Sequence, residues 1–443
     1  MFSFSSEKLT DLADFITKKA IEKGATDVEV DVHESVGREV GVHLRETENI
    51  EYQQSTDVGI GVFIGHKKGF ASTSDLSSKS INQTIQAAID IARFTQEDNC
   101  IALADKELMA NKIDDLDLYH EWDLSVENAN DLALRCENAA FEFDKRIVNS
   151  ESVNVYSQYN QSVYANTNGF CEYEKRARHG ITCVAVSQNE QGMQQDSWYD
   201  TARLPSDLLS AEQIGQEAAR KAVAKLSPRK IKTGIYPILF DRTVSGSLIG
   251  HLVGALSGGV LYQKRSFLND SIGKKIFPDF FQLKEEPHIP RVFNTSFYDD
   301  EGVATSPRQI IQNGIVNGYF LSSYSARKLK MQTTANAGGA HRLELSSTVP
   351  LQQELLRQMG TGLLITDLMG QGVNILTGDY SRGANGFWIE NGVIAYPVDE
   401  ITIAGNLQQM FKNIVAIAND AIPHATHKIG SILLSEMTVA SNC

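Results

Sequence analysis

The chain has 443 residues, of which 42% are apolar and 22% charged, and its net charge is −14. Such a length is enough for two or three domains. The negative charge makes the chain a poor general binder of nucleic acid or anionic membrane, because phosphate groups would repel it. No stretch approaches the roughly 18 uninterrupted apolar residues of a membrane-spanning helix.

The cysteines and the N-terminus indicate a reducing compartment. The chain has an odd, scattered set of cysteines, which argues against a disulfide framework and against a zinc knuckle; they are Cys100, Cys136, Cys171, Cys183 and Cys443. Residues 1–9 lack the basic region and apolar run of a signal peptide. We therefore expect a soluble cytoplasmic protein in which most thiols act as small core residues.

The first half of the chain shows one pattern twice. Residues 6–23 place apolar side chains on one helical face, short alternating runs between residues 28 and 64 indicate strands, and a helix is predicted at 80–94. A second helix from about residue 125 is followed by five predicted strands and a helix at 211–226. Those strands are 148–157, 160–167, 170–177, 180–187 and 193–201. We infer an internal duplication, 1–100 and 122–226, with helices packed on antiparallel sheets.

The second half has a different composition. All ten prolines lie after residue 204, and residues 227–230 form the natural linker. Asn313-Gly314 and Asn391-Gly392 predict hairpins, as Asn168-Gly169 does in the first half. The sequence therefore predicts an α+β protein, with an N-terminal domain at 1–226 and a mainly β C-terminal domain at 231–443.

One predicted helix carries an unusual row of glycines: Gly246, Gly250, Gly254 and Gly258 recur at every fourth position. Each glycine in a helix interior costs about 1 kcal/mol relative to alanine. We expect this cost to be offset by close approach of another backbone, as in small-xxx-small packing. The alternative is that the segment is not one continuous helix.

A search for a self-sufficient active site finds none. Neither a GxSxG nucleophile elbow, a phosphate-binding loop nor an HExxH zinc helix occurs. His424 and His427 form an HxxH pair without an adjacent carboxylate, which we interpret as a loop. The acidic triplet 299–301 is interpreted as a solvated turn, because a calcium cage needs about 6–8 oxygen ligands.

The C-terminal half resembles a known family along almost its full length. Residues 377–392 read TGDYSRGANGFWIENG, and residues 396–407 read YPVDEITIAGNL. With SFYDDEG at 296–302 and MTVA at 437–440, these segments resemble the PmbA (TldE) branch of the TldD/PmbA family. The family's TldD branch carries an HExxxH helix, for which zinc is the expected metal.

The resemblance implies that this chain lacks the metal motif. The corresponding stretch places Ile249 and Gly254 at the two histidine positions and Gly250 at the glutamate position, with His251 out of register. No metal ligand or general base remains in this helix. We therefore expect no cofactor in this chain and zinc in a partner subunit.

The resemblance also implies a role for the chain in a two-subunit metalloprotease. A TldD-like subunit bearing HExxxH would be the catalytic partner, and this chain would complete an enclosed cavity that admits unfolded peptides. The family is associated with trimming the leader peptides of peptide antibiotics and degrading small unfolded proteins. Candidate cavity residues are Asp379, Tyr380, Ser381 and Arg382, and exposed strand edges would pair with an extended peptide. Without the partner, a homodimer is a possible state.

Two alternatives stay open at this stage. The chain could be a serine-type hydrolase acting through Ser381 or Ser245, although no histidine partner is visible by the logic of catalytic triads. It could also be a peptide-binding module without enzymatic activity. The segment 377–392 has a purely structural interpretation as well, namely a hairpin.

The degenerate motif predicts the metal content of the purified chain. We expect elemental analysis to find no stoichiometric zinc, because a zinc site needs about three or four protein ligands and this helix supplies none. The TldD-like subunit, analysed in parallel, serves as the positive control. About one tightly bound metal ion per chain would contradict the assignment, unless His424 and His427 were its ligands.

Overall fold

The structure, a computed structural model, describes residues 2–441; Cys443 lies outside this range. The first half contains two successive groups of one helix, three strands and one helix. The first group is α1 (Ser6–Glu22), β1 (Asp27–His43), β2 (Glu46–Ile64), β3 (Lys67–Thr73) and α2 (Ser78–Phe94). The second is α3 (Val126–Phe143), β4 (Ile147–Asn166), β5 (Cys171–Asn189), β6 (Gly192–Ala202) and α4 (Ala211–Ala224). The predicted element order therefore occurs twice, and the duplication inferred from it stays a prediction.

The strands of both groups form one six-stranded antiparallel sheet in the order β3-β2-β1-β4-β5-β6. The pairing of β1 with β4 joins the two groups from Glu29↔Asn166 to Val42↔Val153. The prediction of separate short strands was wrong, because 148–157 and 160–167 belong to β4 and 170–177 and 180–187 to β5. Residues 157–161 contain no aliphatic side chain, so the apolar alternation appeared to stop although the strand continues.

Helices cover one face of this sheet at its two ends. Leu9 and Ile16 of α1 pack with Val30, Ile60 and Ile85 in one apolar cluster. A second cluster brings residues of α3 and α4 against β4 and β5, and includes the buried thiols Cys136 and Cys183. All four helices begin at a serine N-cap whose side chain accepts a backbone N–H: Ser5, Ser77, Ser125 and Ser210. Such caps stabilise a helix by about 1 kcal/mol.

The second half is mainly β, as predicted. Its strands are β7 (Gly234–Phe240), β8 (Leu283–Glu285), β9 (Arg308–Gln312), β10 (Ile315–Val316), β11 (Leu343–Leu345), β12 (Gly362–Met369), β13 (Asp379–Glu390), β14 (Val393–Asn406), β15 (Ile414–Ile417) and β16 (Ile432–Ser441). Its helices are α5 (Ser245–Ala255), α6 (Gly258–Leu261), α7 (Ser323–Leu329), α8 (Gln352–Met359) and α9 (Leu407–Lys412).

Five of these strands close into a barrel. The sheet runs β14-β13-β12-β7-β16-β15, and an additional β14–β16 pairing closes the ring. A small sheet, β10-β9-β8-β11, lies beside the barrel. The core between them includes Phe240, Leu252, Ile365, Phe411 and Leu434. Closure satisfies the backbone groups that an open sheet would expose at its edges.

Both predicted hairpins of this half are confirmed. Asn313 and Gly314 have φ of 52° and 74°, and Asn391 and Gly392 have φ of 51° and 76°. Two successive residues with positive φ are what a type I′ turn requires, and asparagine and glycine adopt that conformation most readily.

The glycine row is helical, but its packing prediction was wrong for most of its members. A Cβ added at Gly246, Gly250 or Gly254 would meet no atom within 4 Å. Gly258 lies in the separate helix α6, where a Cβ would clash with Ser325. The opposite face of α5 supplies the buried contacts, so the glycine face is left open.

Polar contacts hold the two halves together. Lys225, the C-cap of α4, bridges Asp196 of β6, at 2.8 Å, and Asp367 of β12. On another side, Lys328 of α7 pairs with Asp98 at 2.7 Å, and Tyr324 donates to the same carboxylate at 2.9 Å. Among residues 2–441, no helix is both long and apolar enough to cross a membrane.

Two glycine-to-alanine substitutions should change stability in opposite directions. A Cβ at Gly215 of α4 would clash with the Cys136 carbonyl of α3, and we expect a loss of about 1–3 kcal/mol from overpacking. Gly250→Ala adds a methyl group in open space and should gain up to about 1 kcal/mol from helix propensity. Urea unfolding followed by circular dichroism measures both. A stabilising Gly215→Ala, or a clearly destabilising Gly250→Ala, would contradict this packing.

Candidate functional site: a groove between the two halves

A groove runs between the N-terminal sheet and the barrel, at the beginning of α5. It consists of two adjoining cavities of about 360 and 310 Å³, which share Tyr199, Thr243 and Ile422. We call this the inter-domain groove. One wall is β6, and the other is formed by the start of α5, the ends of β12 and β13, and residues 422–427.

Helix α5 has one face in the core and one in the groove. Leu248, Ile249 and Leu252 are at most 1% exposed and belong to the barrel core. Gly246 and Ser247 line the groove. The phase of the helix is therefore set by its leucines and isoleucine, and the small residues face the cavity as a consequence.

His251 lies one turn beyond Ser247 and is half-buried. Its ring meets the ring of Tyr380 edge-on, with 5.9 Å between centroids. Burial lowers the pKa of His251, and the charge of Arg382 lowers it further. Its Nε2 has no hydrogen-bond partner within residues 2–441, so the imidazole is held in its neutral form close to the groove.

Strand β13 separates the four candidate cavity residues into two pairs. Tyr380 is 2% exposed and Arg382 lines the groove, whereas Asp379 and Ser381 are exposed on the other side of the strand. The segment 377–392 is therefore mostly strand, as its structural interpretation as part of a hairpin predicts. Asp379 holds the turn before it, accepting from Thr377 at 2.6 Å. Only Tyr380 and Arg382 are placed to act inside the protein.

Tyr380 and Arg382 leave polar atoms unused. Burial raises the pKa of Tyr380 to about 12, although the nearby Arg382 acts in the opposite direction. Tyr380 Oη and Arg382 Nε both lack a hydrogen-bond partner within the described part of the chain. Buried polar atoms are rarely left unpaired in native proteins, so these two groups are candidates to bind a ligand, although Arg382 also interacts with Tyr380.

The burial of Ile249 counts against the predicted register of the degenerate metal motif. Gly250 and Gly254 lie on the open face, but Ile249 is 1% exposed in the core. Within α5, the HExxxH spacing keeps all three positions out of the core only at Gly246, Ser247 and His251. In that register, His251 stands at the second histidine position.

The donor set does not fit a zinc ion in either register. The open face of α5 offers one imidazole and no carboxylate. Across residues 2–441, no group of three or more His, Cys, Asp or Glu side chains is arranged to hold a metal. A structural zinc site needs four such ligands and a catalytic one about three.

The HxxH pair has a structural role at His427. His427 Nδ1 accepts a hydrogen bond from the backbone N–H of Leu343 at 3.0 Å. Burial, assisted by the charge of Arg342, lowers the pKa of His427 to about 4. The interpretation as a loop without a metal therefore has a physical basis in the contact that His427 makes.

The acidic triplet contains a buried carboxylate, so the expectation of a solvated turn was wrong for Asp299. Asp299 is 3% exposed and accepts backbone N–H groups from Glu301, Val303 and Ala337 at 2.9–3.0 Å. Burial raises its pKa to about 7, against the effect of these hydrogen bonds. The glycine after the triplet indicated a turn, but no sequence signal showed that the turn would be covered.

Neither proposed serine nucleophile has a histidine partner. Ser245 is buried, and its Oγ has no hydrogen-bond partner within residues 2–441. Ser381 is exposed on β13. The Ser–His contact that does occur is between Ser157 and His179, at 3.0 Å, and both are buried in the N-terminal sheet. This contact lies beside an aromatic-lined cavity of about 880 Å³ between the two helix pairs.

Three features of the structure agree with one protein family. They are the element order that occurs twice, the closed barrel that follows it, and the glycine-rich helix at the groove. Models described as PmbA/TldA metallopeptidase domain 1, central domain and C-terminal domain match residues 28–92, 119–226 and 233–441. The chain belongs to the PmbA/TldD metallopeptidase family, and the resemblance found in the sequence is confirmed.

Individual relatives are similar along nearly their whole length. The chain is 43% identical to a metalloprotease PmbA homolog of Haemophilus influenzae, covering 98% of this chain and 97% of the relative. It is also 43% identical to metalloprotease PmbA of Escherichia coli O157:H7, covering 96% and 94%. A crystal structure from Bacteroides thetaiotaomicron, described as a candidate modulator of DNA gyrase, matches with a TM-score of 0.93 at 26% identity, covering 99% of this chain and 100% of that one.

His427 should make the protein less stable in mild acid. Its folded pKa of about 4 lies below the usual value of about 6.5, so its contribution is present above pH ~6.5 and is lost as the pH falls towards 4. At pH 5 the loss should be about 2 kcal/mol at most. Urea unfolding at pH 7 and pH 5 should show a smaller pH effect in His427→Gln. Thr426→Ala, which changes no titratable group, should match the parent; an unchanged pH effect in His427→Gln would refute the assignment.

Proposed function

We propose that this chain is the metal-free subunit of a two-subunit metallopeptidase that cleaves unfolded peptides, including leader peptides. Its partner is a TldD-like subunit that carries HExxxH. The observation that supports this most concerns the exposed face of α5 and the side chains on it. The helix keeps an open face beside a groove, in a chain 43% identical to proteins named metalloprotease PmbA, while its donors do not fit zinc.

The partner's metal would supply the activated water, and this chain's residues would hold the substrate. The absence of side chains at Gly246 and Gly250 leaves room for a peptide to approach the helix backbone. Tyr380 Oη and Arg382 Nε offer unpaired donors beside it. Burial of a peptide between β6 and α5 would also exclude bulk water from the cleavage site, which strengthens every polar contact there.

Backbone pairing at strand edges is not part of this proposal. At the middle of the edge strand β6 the backbone of Ser197 is already engaged, because Lys221 donates to its carbonyl at 3.0 Å and the Asp196 carboxylate accepts from its N–H at 2.7 Å. The barrel is closed by the β14–β16 pairing. We therefore assign substrate holding to side chains in the inter-domain groove.

Peptidase activity should appear only by complementation. A fluorogenic unfolded peptide is incubated with this chain, with a TldD-like subunit, and with the mixture. We expect cleavage by the mixture alone, and its loss when the partner's motif glutamate is changed to glutamine. In this chain, Tyr380→Phe and Arg382→Gln should each lower kcat/KM about 10-fold, which corresponds to about 1.4 kcal/mol. Ser381→Ala should have full activity; its loss would support the serine-hydrolase alternative.

The same assay separates the two registers of α5. If His251 is out of register, as the sequence predicts, His251→Ala keeps most of the activity. A loss of activity in His251→Ala, with partner binding unchanged by analytical ultracentrifugation, would instead show that His251 contributes to the reaction and would favour the register at Gly246, Ser247 and His251. Full activity from this chain alone in the presence of a chelator would contradict the whole division of roles.

A further inference from the structure

Several arginines at the inter-domain groove have no acidic partner. Arg178 and Arg242 line one cavity and Arg382 the other, while Arg203 lies behind Phe293. Within residues 2–441, none of the four has a carboxylate oxygen within 4.0 Å. Arg178 and Arg203 instead stack on Phe293, and Arg242 donates to the Asp420 carbonyl at 3.2 Å.

The acidic residues of the groove are already engaged. Asp196 is paired with Lys221 and Lys225, and Asp367 with Lys225. The Asp200 carboxylate accepts the backbone N–H groups of Thr201 and Leu209 at 2.9 and 2.8 Å. The groove therefore has positive charge left over, although the chain as a whole has a net charge of −14.

Arg203 shows that this charge is not simply solvated. It is 6% exposed, donates one hydrogen bond to the Ala177 carbonyl at 2.8 Å, and leaves Nε without a partner. Burial and the neighbouring charges of Arg176 and Arg178 lower its pKa to about 10, and the charge of Glu174 opposes them only in part. A buried cation without a directly paired carboxylate is costly, so an anion bound nearby would offset part of that cost.

We propose that the inter-domain groove recognises a carboxylate group of the peptide substrate, either its C-terminus or an acidic side chain. This deepens the proposed function and rests on it. The planar guanidinium groups of Arg178 and Arg242 suit bidentate binding of a carboxylate. Two further positive charges attract the carboxylate: Arg382 in the other cavity and the buried Arg203 behind Phe293.

The size and surroundings of the cavity favour a peptide over a nucleic acid. A space of about 310 Å³ bounded by Phe293, Tyr199 and Ile422 is comparable to a small ligand pocket and too confined for a run of phosphodiesters. The overall negative charge of the chain also repels a polyanion at distance. A carboxylate on an otherwise uncharged peptide meets the local arginines without that long-range penalty.

The test uses isothermal titration calorimetry to measure the binding of short synthetic peptides to the full chain without its partner. Four peptides are built on one sequence without charged side chains, and all have an acetylated N-terminus. The first has a free C-terminus and the second an amidated one. The third and fourth are both amidated and carry glutamate and glutamine, respectively, at one internal position. The first against the second tests the C-terminal carboxylate, and the third against the fourth tests the side chain. We expect at least one carboxylate form to bind about 10-fold more tightly than its neutral counterpart.

Charge variants locate the effect. Arg178→Gln and Arg242→Gln should each abolish most of that preference, while Arg357→Gln, an exposed arginine of α8 in no ion pair, should keep it. Circular dichroism verifies that each variant is folded. Equal affinity for all four peptides, or a preference that survives both groove variants, would overturn the proposal. So would tighter binding of a single-stranded oligonucleotide that depends on the same arginines.

The outcome is separable from that of the proposed function. Carboxylate-dependent binding without peptidase activity in the mixture would refute the two-subunit role and keep the anion site. Peptidase activity in the mixture without a preference for carboxylate peptides would refute the anion site and keep the two-subunit role.

Discussion

The burial of one face of α5 in the barrel core is the constraint on which the site depends. Leu248, Ile249 and Leu252 are held among barrel residues, and a helix has only one rotational phase that satisfies such a set. That phase presents Gly246 and Ser247 to the groove and keeps His251 out of the core, against Tyr380. A metal-binding motif at other positions of this helix would place at least one of its side chains in the core, even if its spacing in the sequence were correct.

The second requirement is a fixed distance between β6 and α5. Lys225 meets it by bridging Asp196 and Asp367 across the boundary between the halves. This lysine is itself largely buried, and the two carboxylates compensate the loss of its hydration, raising its pKa. Removing one partner of the buried Lys225–Asp196 pair would be strongly destabilising, so the groove walls are coupled to the stability of the fold.

The sequence predicted most elements and the β-rich second half because local rules govern them. The Asn-Gly turns, the serine N-caps and the apolar helical faces are decided within a few residues. Strand length was not predictable, since Ser157, Tyr159 and Gln161 line a polar and aromatic cavity instead of an aliphatic core. The open glycine row, the buried Asp299 and the Ser157–His179 contact all depend on segments distant in the chain, which a single sequence does not bring together. In a strand, side chains alternate between two faces, which would have placed Tyr380 and Arg382 on one face and Asp379 and Ser381 on the other. The glycines of this segment hid the strand pattern, so the sequence did not predict this arrangement.

The closed barrel has a consequence for association between copies of the chain. Free strand edges are a common route to unwanted association. The five-stranded ring has no such edge, because β14 pairs with β16, and Lys221 covers the backbone of the edge strand β6 at Ser197. The other strand edges lie at β3, β10, β11 and β15, so a second copy that paired through its strands would attach there and not to the ring.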